Sequence, residues 1–518
     1  MPRSLGSSPR QQTAGGAQVL PGTFGGYAFE WLGLAVILAL FFGSLVYRSD
    51  TLAMQLWDES RNANNALGAA LGGHWLAPYY GDHVDHWNTK PPLLIWSIAG
   101  LLKLGIEPLW ALRLPNILAT FATAALIGAA FRYSLKDRVA ALAGPALLLC
   151  SSLYMGFHGA RTGDYDAFES FFIVVYVLGF WQAFSSEPVK RHWLAAVVIG
   201  VFGAVLTKGV AGILPLPGLV IAMAASPGRA LSFLKDIRTW IYGALTIALC
   251  LGYYLSRETY DPGYIAAVLQ NELGGRYLKV SDEHHASALY YVKKLALGFE
   301  PGGLLSPLVL LTLMGADRRR RELSLFALAG GLALLLVIST SQTKLAWYAT
   351  PIVPLFSIAV AVGVSDALRW AARRGSHELL AAGAILLAFV SMGFLRQYQS
   401  MTMTEFTQPW GTSQIQYGTA LTELKRQHRT PPLTIVDSGF RGVPDDPHYN
   451  PIIDFYTTLY GRNWRIARTQ PGAPLADGSL VLTCDPTGMD WLRTQYVTEP
   501  VMTRAQDCVF SSVTRPVR

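Results

Sequence analysis

The residues best suited to chemistry in this 518-residue chain are charged side chains in or beside apolar segments. Charge at membrane depth is costly, so such residues are functional candidates. They fall in five short motifs, which read in chain order LWDESR, HWNTKPPLLIW, HGARTGDYDAFESF, LTKG and TKLAWYATPIVP. Carboxylates can orient or deprotonate a hydroxyl, and Lys and Arg can bind a phosphate. This combination would suit displacement at a sugar carbon that carries a phosphate leaving group.

Composition indicates that membrane helices position these motifs. The chain is 51% hydrophobic and only 15% charged, whereas soluble domains carry about 25% charged residues. Apolar runs recur from residue 30 to about residue 396, and most approach the roughly 20 residues that a membrane-spanning helix needs. The net charge of +8 lies mainly in short loops between these runs, as in cytoplasmic loops. That distribution argues against a nucleic-acid partner.

The basic loops also predict the topology. The polar segment 1–27 is predicted to be a disordered cytoplasmic tail, and the run 28–47 a signal anchor. The segment 91–105 opens with two prolines and is interpreted as an interfacial or re-entrant helix, because a full crossing there would place the basic run Arg318 to Arg321 outside. Eleven crossings result, near 28–47, 109–131, 138–156, 167–184, 193–207, 208–225, 238–256, 299–315, 323–340, 346–365 and 378–396.

We therefore expect an α-helical polytopic protein of the inner membrane, with about 11 transmembrane helices over residues 28–396. Its first external loop, 48–108, would carry juxtamembrane helices, and 257–298 would be a long external loop. Residues 397–518 are more polar and contain short β-type runs, which predicts a small C-terminal α/β domain on the periplasmic side. Cys484 and Cys508 lie in this domain, where a disulfide is plausible but not decided by sequence. All five motifs fall on the outer side.

The order of the motifs resembles that of the GT-C protein O-mannosyltransferase/aminoarabinose transferase family, whose members use polyprenyl-phosphate sugars. The matching features are DExR at Asp58, KPPLxxW at Lys90, an Asp before the fourth span at Asp166 and LTKG at Lys208. A weaker match starts at Lys344, and the resemblance covers about residues 28–365. One departure is Thr89, because bacterial aminoarabinose transferases usually have Glu directly before the KPP lysine.

The resemblance implies roles for individual residues. Asp58 and Asp166 would be the catalytic carboxylates, with Asp164 as a second candidate for the position of Asp166. The implied substrate-binding residues are Glu59, Arg61, Asp85, Lys90, Asp164, Lys208, Arg276, Lys344 and Tyr348. A divalent metal ion is a candidate cofactor, with His285 and His86 as candidate ligands, although Thr89 puts both the metal and aminoarabinose in doubt.

The expected activity is inverting transfer of a sugar from a polyprenyl-phosphate carrier to an envelope acceptor. Lipid A or lipopolysaccharide core is the favoured acceptor, and galacturonic acid, aminoarabinose or a hexose is the candidate sugar. A transporter or flippase of lipid-linked substrates is the rival from another class; it would predict internal repeats and charges near mid-membrane, which the sequence does not display. Protein O-mannosyltransferase-like activity is the third alternative.

Overall fold

The computed structural model of the protein describes residues 35–37, 39–40, 42–156, 158–278, 286–403, 412–427, 431–439, 449–461, 463–505 and 508–516. Within these ranges the chain is mostly helical, with a two-stranded hairpin near its start and a five-stranded sheet near its end. The helical class with a small C-terminal sheet domain is therefore confirmed. The predicted tail 1–27 lies outside the described residues.

The first half of the chain contains the loop helices and the first long helices. They are α1 (Ala35–Val46, part of which is not described), α2 (Asp58–Gly72), α3 (Leu93–Lys103), α4 (Pro108–Ala129), α5 (Arg138–Leu149), α6 (Ser152–Met155), α7 (Tyr165–Phe184), α8 (Arg191–Lys208), α9 (Leu216–Ala222), α10 (Pro227–Lys235) and α11 (Ile237–Tyr260).

The second half continues the bundle and then enters the C-terminal domain. Its helices are α12 (Tyr264–Val268), α13 (Tyr290–Gly298), α14 (Gly302–Leu305), α15 (Val309–Leu313), α16 (Arg318–Thr340), α17 (Ile352–Arg374), α18 (Ser376–Met403), α19 (Thr412–Arg426), α20 (Pro451–Tyr460) and α21 (Pro486–Gln495). A π-helical segment, Leu269–Tyr277, follows α12.

Seven described helices are long and apolar enough to cross a membrane: Pro108–Ser134, Tyr165–Phe184, Arg191–Ile213, Ile237–Tyr260, Arg318–Thr340, Ala346–Arg374 and Ser376–Gln399. An eighth candidate is the pair Tyr290–Gly298 and Gly302–Leu313, which is bent by 102°. The other three predicted crossings correspond to the short apolar helices Ala35–Val46, Arg138–Leu149 and Leu216–Ala225. The protein is a multi-pass membrane protein, and the crossing of the short helices stays a prediction.

The basic run at the start of α16 does more than signal topology. Arg320 is only 2% exposed, and its guanidinium donates hydrogen bonds to Asp137 and to the carbonyl oxygen of Val362. Its Nη2 also lies 2.8 Å from the Asp366 carboxylate. Buried charges need partners in this way because desolvation is costly. The sequence interpretation of this run as a topology signal was therefore incomplete.

The C-terminal domain is an α/β unit built on five strands, β3 (Leu433–Val436), β4 (Ile466–Thr469), β5 (Leu480–Thr483), β6 (Tyr496–Ala505) and β7 (Cys508–Pro516). Their order is β4-β3-β5-β7-β6, with β3 parallel to β4 and β5, and β7 antiparallel to β5 and β6. A disulfide joins Cys484, just after β5, to Cys508 at the start of β7.

The C-terminal domain packs directly on the first large loop of the membrane domain. Buried apolar residues of α2 and α3 share one hydrophobic cluster with residues of α19, α20 and the sheet, such as Leu67, Ile95, Tyr417 and Ile453. Asn64 of α2 also donates a hydrogen bond to the carbonyl oxygen of Pro451 at 2.7 Å. The start of α2, which carries the first sequence motif, is therefore fixed between the two domains. The short hairpin β1 (Tyr79–Tyr80) and β2 (His83–Val84) lies in the same loop.

Candidate active site

The first sequence motif contains two neighbouring carboxylates, of which one is accessible and the other is buried. The helix α2 begins at Asp58, and Trp57 before it has a positive φ of 74°, a conformation that non-glycine residues rarely adopt. Asp58 and Glu59 occupy the first turn, where the helix dipole favours negative charge. The Asp58 side chain is 28% exposed, whereas Glu59 is buried. Only Asp58 can therefore meet a substrate.

Both carboxylate oxygens of Glu59 are used inside the protein. Arg113 of α4 donates to them at 2.8 and 3.1 Å, and neither side chain is exposed. The backbone N–H groups of Gln55 and Gly163 donate to the same carboxylate at 2.7 and 2.9 Å. Glu59 thus ties the start of α2 to α4 and to the loop before α7. We propose a positioning role for Glu59 in place of the substrate binding predicted from the sequence.

Glu59→Gln is expected to destabilise the protein, because Arg113 would stay buried without its countercharge. Removing one partner of a buried ion pair costs about 3–5 kcal/mol. Thermal unfolding in detergent should therefore give a clearly lower Tm for Glu59→Gln. Asp82→Asn is the matched control, since Asp82 is an exposed acidic residue of the same loop and should leave the Tm unchanged. Equal Tm values for Glu59→Gln and wild type would contradict the positioning role.

Arg61 lies one turn after Asp58 on α2 and is held by Asp85. Its Nε and Nη2 donate to the two Asp85 oxygens at 2.7 and 2.8 Å, a bidentate pair. Burial alone would raise the pKa of the Asp85 carboxyl, but the Arg61 guanidinium outweighs burial and holds that pKa below its ordinary value. The Asp85 side chain has no exposed surface. We propose that Asp85 orients Arg61 and does not itself contact the substrate, because its carboxylate is fully buried.

Aromatic rings surround Arg61 and form what we call the aromatic rim, namely Trp57, Tyr80, Trp87 and Tyr449. The Arg61 guanidinium lies 3.9 Å from the centre of the Tyr80 ring, 5.2 Å from that of Trp87 and 5.7 Å from that of Tyr449. Trp57 and Tyr449 have ring centres 5.5 Å apart. Trp87 is 41% exposed. Since Tyr449 belongs to the C-terminal domain, both domains build the rim.

A histidine joins Asp58 to the motif before α7. His158 Nδ1 lies 3.6 Å from Asp58 Oδ2 and 3.1 Å from Asp164 Oδ1. The His158 ring is buried and stacks on Trp347, with ring centres 3.7 Å apart. Burial alone would lower the pKa of His158, but Asp164, followed by Asp58 and Asp166, raises it above its ordinary value. The local field is therefore strongly negative and attracts cations.

The second predicted carboxylate pairs with the lysine of the LTKG motif. Lys208 Nζ donates to Asp166 and lies 3.9 Å from Glu169 Oε2. Lys208 is the last residue of α8, and Gly209 after it has a φ of 63°, which favours glycine. A Cβ at Gly209 would also approach the Tyr254 hydroxyl within 2.9 Å. The glycine thus ends α8 where Lys208 meets the acidic residues of α7.

Lys208 lines a cavity of about 260 Å³. Most of its wall is apolar and includes Val210, Leu214, Leu334, Val337 and Ile338. The polar side chains at this cavity include Glu169, Glu272 and Tyr348, and the Tyr348 ring centre lies 5.1 Å from Lys208 Nζ. An apolar cavity with a lysine in its wall suits a ligand that combines a hydrocarbon chain with an anionic group.

The lysine of the KPP motif meets a carboxylate from a distant segment. Lys90 Nζ lies 4.0 Å from Glu272 Oε1, and Thr89 Oγ1 donates to the same oxygen at 3.3 Å. Thr89 stands directly before the KPP lysine, where the sequence comparison above expects Glu for an aminoarabinose transferase. The π-helical segment that follows α12 therefore brings a carboxylate beside Lys90, although the neighbouring residue in the sequence is not acidic.

Two sequence-predicted residues have other partners in the structure. Lys344 Nζ donates to carbonyl oxygens at the end of α16, those of Ile338 at 3.2 Å, Ser339 at 2.8 Å and Ser341. We propose that Lys344 caps this helix in place of the substrate binding predicted from the sequence. His86 Nε2 pairs with Asp261 at 3.0 Å.

Of the two predicted metal ligands, the structure describes only His86. Among the described residues, the group of three or more residues able to hold a metal ion is Asp58, His158 and Asp164, which does not include His86. His285 and the side chain of Arg276 lie outside the described residues.

Several residues of the site were not selected from the sequence. His158 and Glu272 are polar residues of predicted outer loops. Nothing in the sequence indicates that His158 lies beside Asp58 or that Glu272 lies beside Lys90. Tyr449 follows no motif. Arg113 carried a usable signal, because a single arginine inside the apolar helix Pro108–Ala129 requires an internal partner.

Comparisons with known proteins agree with this architecture. Residues 89–254 match the family described as dolichyl-phosphate-mannose-protein mannosyltransferase. Over 391 residues the chain is 26% identical to the undecaprenyl phosphate-alpha-4-amino-4-deoxy-L-arabinose arabinosyl transferase of Shewanella sediminis, which covers 73% of this chain and 69% of that relative.

Solved structures of low sequence identity share the fold. ArnT from Cupriavidus metallidurans bound to undecaprenyl phosphate is 17% identical, with a TM-score of 0.65 over 94% of this chain and 98% of that one. The apo oligosaccharyltransferase of Archaeoglobus fulgidus is 12% identical, with a TM-score of 0.56 over 86% of this chain and 65% of that one. The fold is that of the GT-C integral-membrane glycosyltransferases. Within that class, the chain is similar to glycosyltransferases that use polyprenyl-phosphate sugars.

Proposed function

We propose that the protein transfers one sugar from a polyprenyl-phosphate carrier to a glycolipid of the bacterial envelope, with lipid A or lipopolysaccharide core as the favoured acceptor. The reaction takes place at the periplasmic face of the inner membrane, with the N-terminus in the cytoplasm and the C-terminal domain in the periplasm. The observation that carries the proposal is the apolar cavity with Lys208 in its wall, because Lys208 is paired with Asp166 beside the Asp58–His158–Asp164 cluster.

The cavity supplies what a lipid-linked donor needs. Its apolar wall would hold the first isoprene units. Lys208 in the wall and Lys90, which lies 4.0 Å from the lining residue Glu272, would bind the phosphate. The carboxylates now paired with these lysines, Asp166 and Glu272, would exchange part of their ion pairing for the donor. The Shewanella sediminis relative is described as an undecaprenyl phosphate-alpha-4-amino-4-deoxy-L-arabinose arabinosyl transferase, and the ArnT structure is bound to undecaprenyl phosphate. Both support this class of carrier.

Asp58 is proposed as the catalytic carboxylate. It accepts the proton of the acceptor hydroxyl while that oxygen forms a bond to the anomeric carbon. The bond from this carbon to the phosphate oxygen breaks, its electron pair stays on the phosphate, and polyprenyl phosphate leaves. Attack from the opposite side inverts the configuration at the carbon. Lys208 and Lys90 stabilise the leaving phosphate electrostatically.

The cavity narrows the choice of sugar. Two glutamates, Glu169 and Glu272, line it, and a carboxylate accepts hydrogen bonds but repels another carboxylate. A hexose or an amine-bearing pentose therefore suits this cavity better than galacturonic acid. Thr89 argued against aminoarabinose when only the sequence was considered, but Glu272 restores a carboxylate beside Lys90. We propose aminoarabinose or a neutral hexose as the transferred sugar.

The aromatic rim is proposed to bind the saccharide part of the acceptor, with Arg61 contacting its anionic groups. Tyr449→Ala should raise the acceptor KM about tenfold, a loss comparable to that of one aromatic contact at an interface, and leave the donor KM unchanged. The measurement is a transfer assay in which each substrate is varied in turn. Tyr133→Ala is the control, since Tyr133 is exposed and lies far from the rim in sequence. Equal rises in both KM values would contradict the assignment.

The test of the function is mass spectrometry of envelope glycolipids from a deletion strain and from strains complemented with wild type or Asp58→Asn. Loss of one pentose or hexose from lipid A or core, restored only by wild type, supports the proposal. An unchanged glycolipid profile with loss of protein-linked sugar would favour protein O-mannosyltransferase-like activity. Lipid translocation without transfer by the purified protein would favour the flippase.

A further inference from the structure

We propose that Asp58, His158 and Asp164 form a binding site for one divalent transition-metal cation. This inference rests on the proposed function for its catalytic meaning, but the site itself is defined by geometry. The three candidate ligand atoms all lie within 4.8 Å of one another. His158 Nδ1 is 3.1 Å from Asp164 Oδ1 and 3.6 Å from Asp58 Oδ2. Ligands bound to one metal at about 2.0–2.2 Å are separated by similar distances.

A second, independent observation concerns Asp164. The residue is only 1% exposed, and neither of its carboxylate oxygens accepts a hydrogen bond from the described part of the chain. It stands immediately before α7, at the capping position, yet its side chain makes no capping hydrogen bond. A buried carboxylate is costly unless it is hydrogen-bonded, paired or bound to a metal. Its ion pair is with His158, which also faces Asp58.

The surroundings hold the three side chains in place before any cation binds. The His158 ring is fixed by stacking on Trp347. Glu59 accepts the Gly163 N–H at 2.9 Å, which fixes the residue directly before Asp164 relative to α2 and hence to Asp58. The Asp164 and Asp58 carboxylates, which would bind the cation, both face Nδ1 of His158. Outer partners of this kind support metal affinity.

The donor set indicates the class of metal. One imidazole nitrogen and two carboxylate oxygens suit Mn²⁺ or Zn²⁺ better than Ca²⁺, which prefers oxygen ligands alone. Three protein ligands leave coordination positions open, as in catalytic sites. The partly exposed side of the cluster is that of Asp58. A cation there would supply a Lewis acid for the oxygens of the acceptor or donor.

The experiment is a titration of the purified full-length protein in detergent with Mn²⁺, in which the electron paramagnetic resonance signal of free Mn²⁺ reports binding. Wild type should bind one Mn²⁺ per chain, and Asp164→Asn and His158→Gln should each weaken this binding by at least about tenfold. Asn keeps a side chain suited to the capping position of α7, so Asp164→Asn should fold, and an unchanged Tm would show that it does. Asp82→Asn is the charge control and should bind as wild type.

The outcomes separate the metal site from the transferase function, because Mn²⁺ binding needs neither donor nor acceptor. Wild type that transfers sugar but shows no Mn²⁺ binding up to about 1 mM overturns the metal site and leaves the function standing. Equal binding by wild type and a folded Asp164→Asn also overturns the metal site. One Mn²⁺ bound at these residues in a protein that transfers no sugar upholds the site and overturns the function.

Discussion

Asp58→Asn is expected to reduce the kcat of sugar transfer by roughly 10³-fold, a typical loss when a group that transfers a proton in the transition state is removed. The substitution keeps the shape of the side chain but removes its ability to accept the proton. Donor affinity should change little, because the proposed phosphate ligands Lys208 and Lys90 are left intact. The measurement combines kcat from product formation with direct binding of the polyprenyl-phosphate lipid.

Asp82→Asn is the matched control for Asp58→Asn, since it removes one carboxylate from the same loop at an exposed position. It should retain wild-type kcat. Transfer by Asp58→Asn at the wild-type rate would remove Asp58 from the mechanism. A parallel loss of donor binding would instead indicate that Asp58 shapes the cavity and that the catalytic carboxylate lies elsewhere, with Asp166 as the next residue to test.

The sequence predicted candidate site residues because membrane proteins restrict where charge can lie. Asp58, Lys90, Asp166 and Lys208 stand in ordered motifs at the ends of apolar segments, and the structure brings Asp166 and Lys208 into contact. The length of the apolar runs alone also predicted where the long helices lie. The short β-type runs 433–436, 479–483 and 508–513 of the tail predicted β3, β5 and β7. The strands β4 and β6 were missed because they carry charged residues and, in β6, a proline.

What the sequence could not supply was the partner of each charged residue. Glu59 belongs to the same motif as Asp58, and Lys344 begins a weaker motif, but Glu59 is buried against Arg113 and Lys344 caps α16. Packing between segments that are distant in the chain determines these partners, so the spacing of residues within one motif does not predict them. The same holds for Glu272, which reaches Thr89 from 183 residues away.

Lys208→Met should weaken binding of the polyprenyl-phosphate donor by about 100-fold, because a charge-assisted phosphate contact in an apolar cavity contributes about 1.5–3 kcal/mol. Met fills a similar volume without charge. The single variant also leaves Asp166 and Glu169 buried without their lysine, so a lower Tm is expected as well. Donor binding is measured with the purified protein, and thermal unfolding of the same preparation reports stability.

The double variant Lys208→Met with Asp166→Asn separates these two effects. It removes the buried pair as a unit, which is far less costly than removing one partner, so the Tm should recover while donor affinity stays low. Lys344→Met is the control lysine, because Lys344 caps α16 and is not among the residues lining the cavity; it should retain donor affinity. If donor affinity recovered together with the Tm, Lys208 would be a structural partner of Asp166. The phosphate would then have to be bound by other cations, and among the described side chains Lys90 and Arg61 would be tested next.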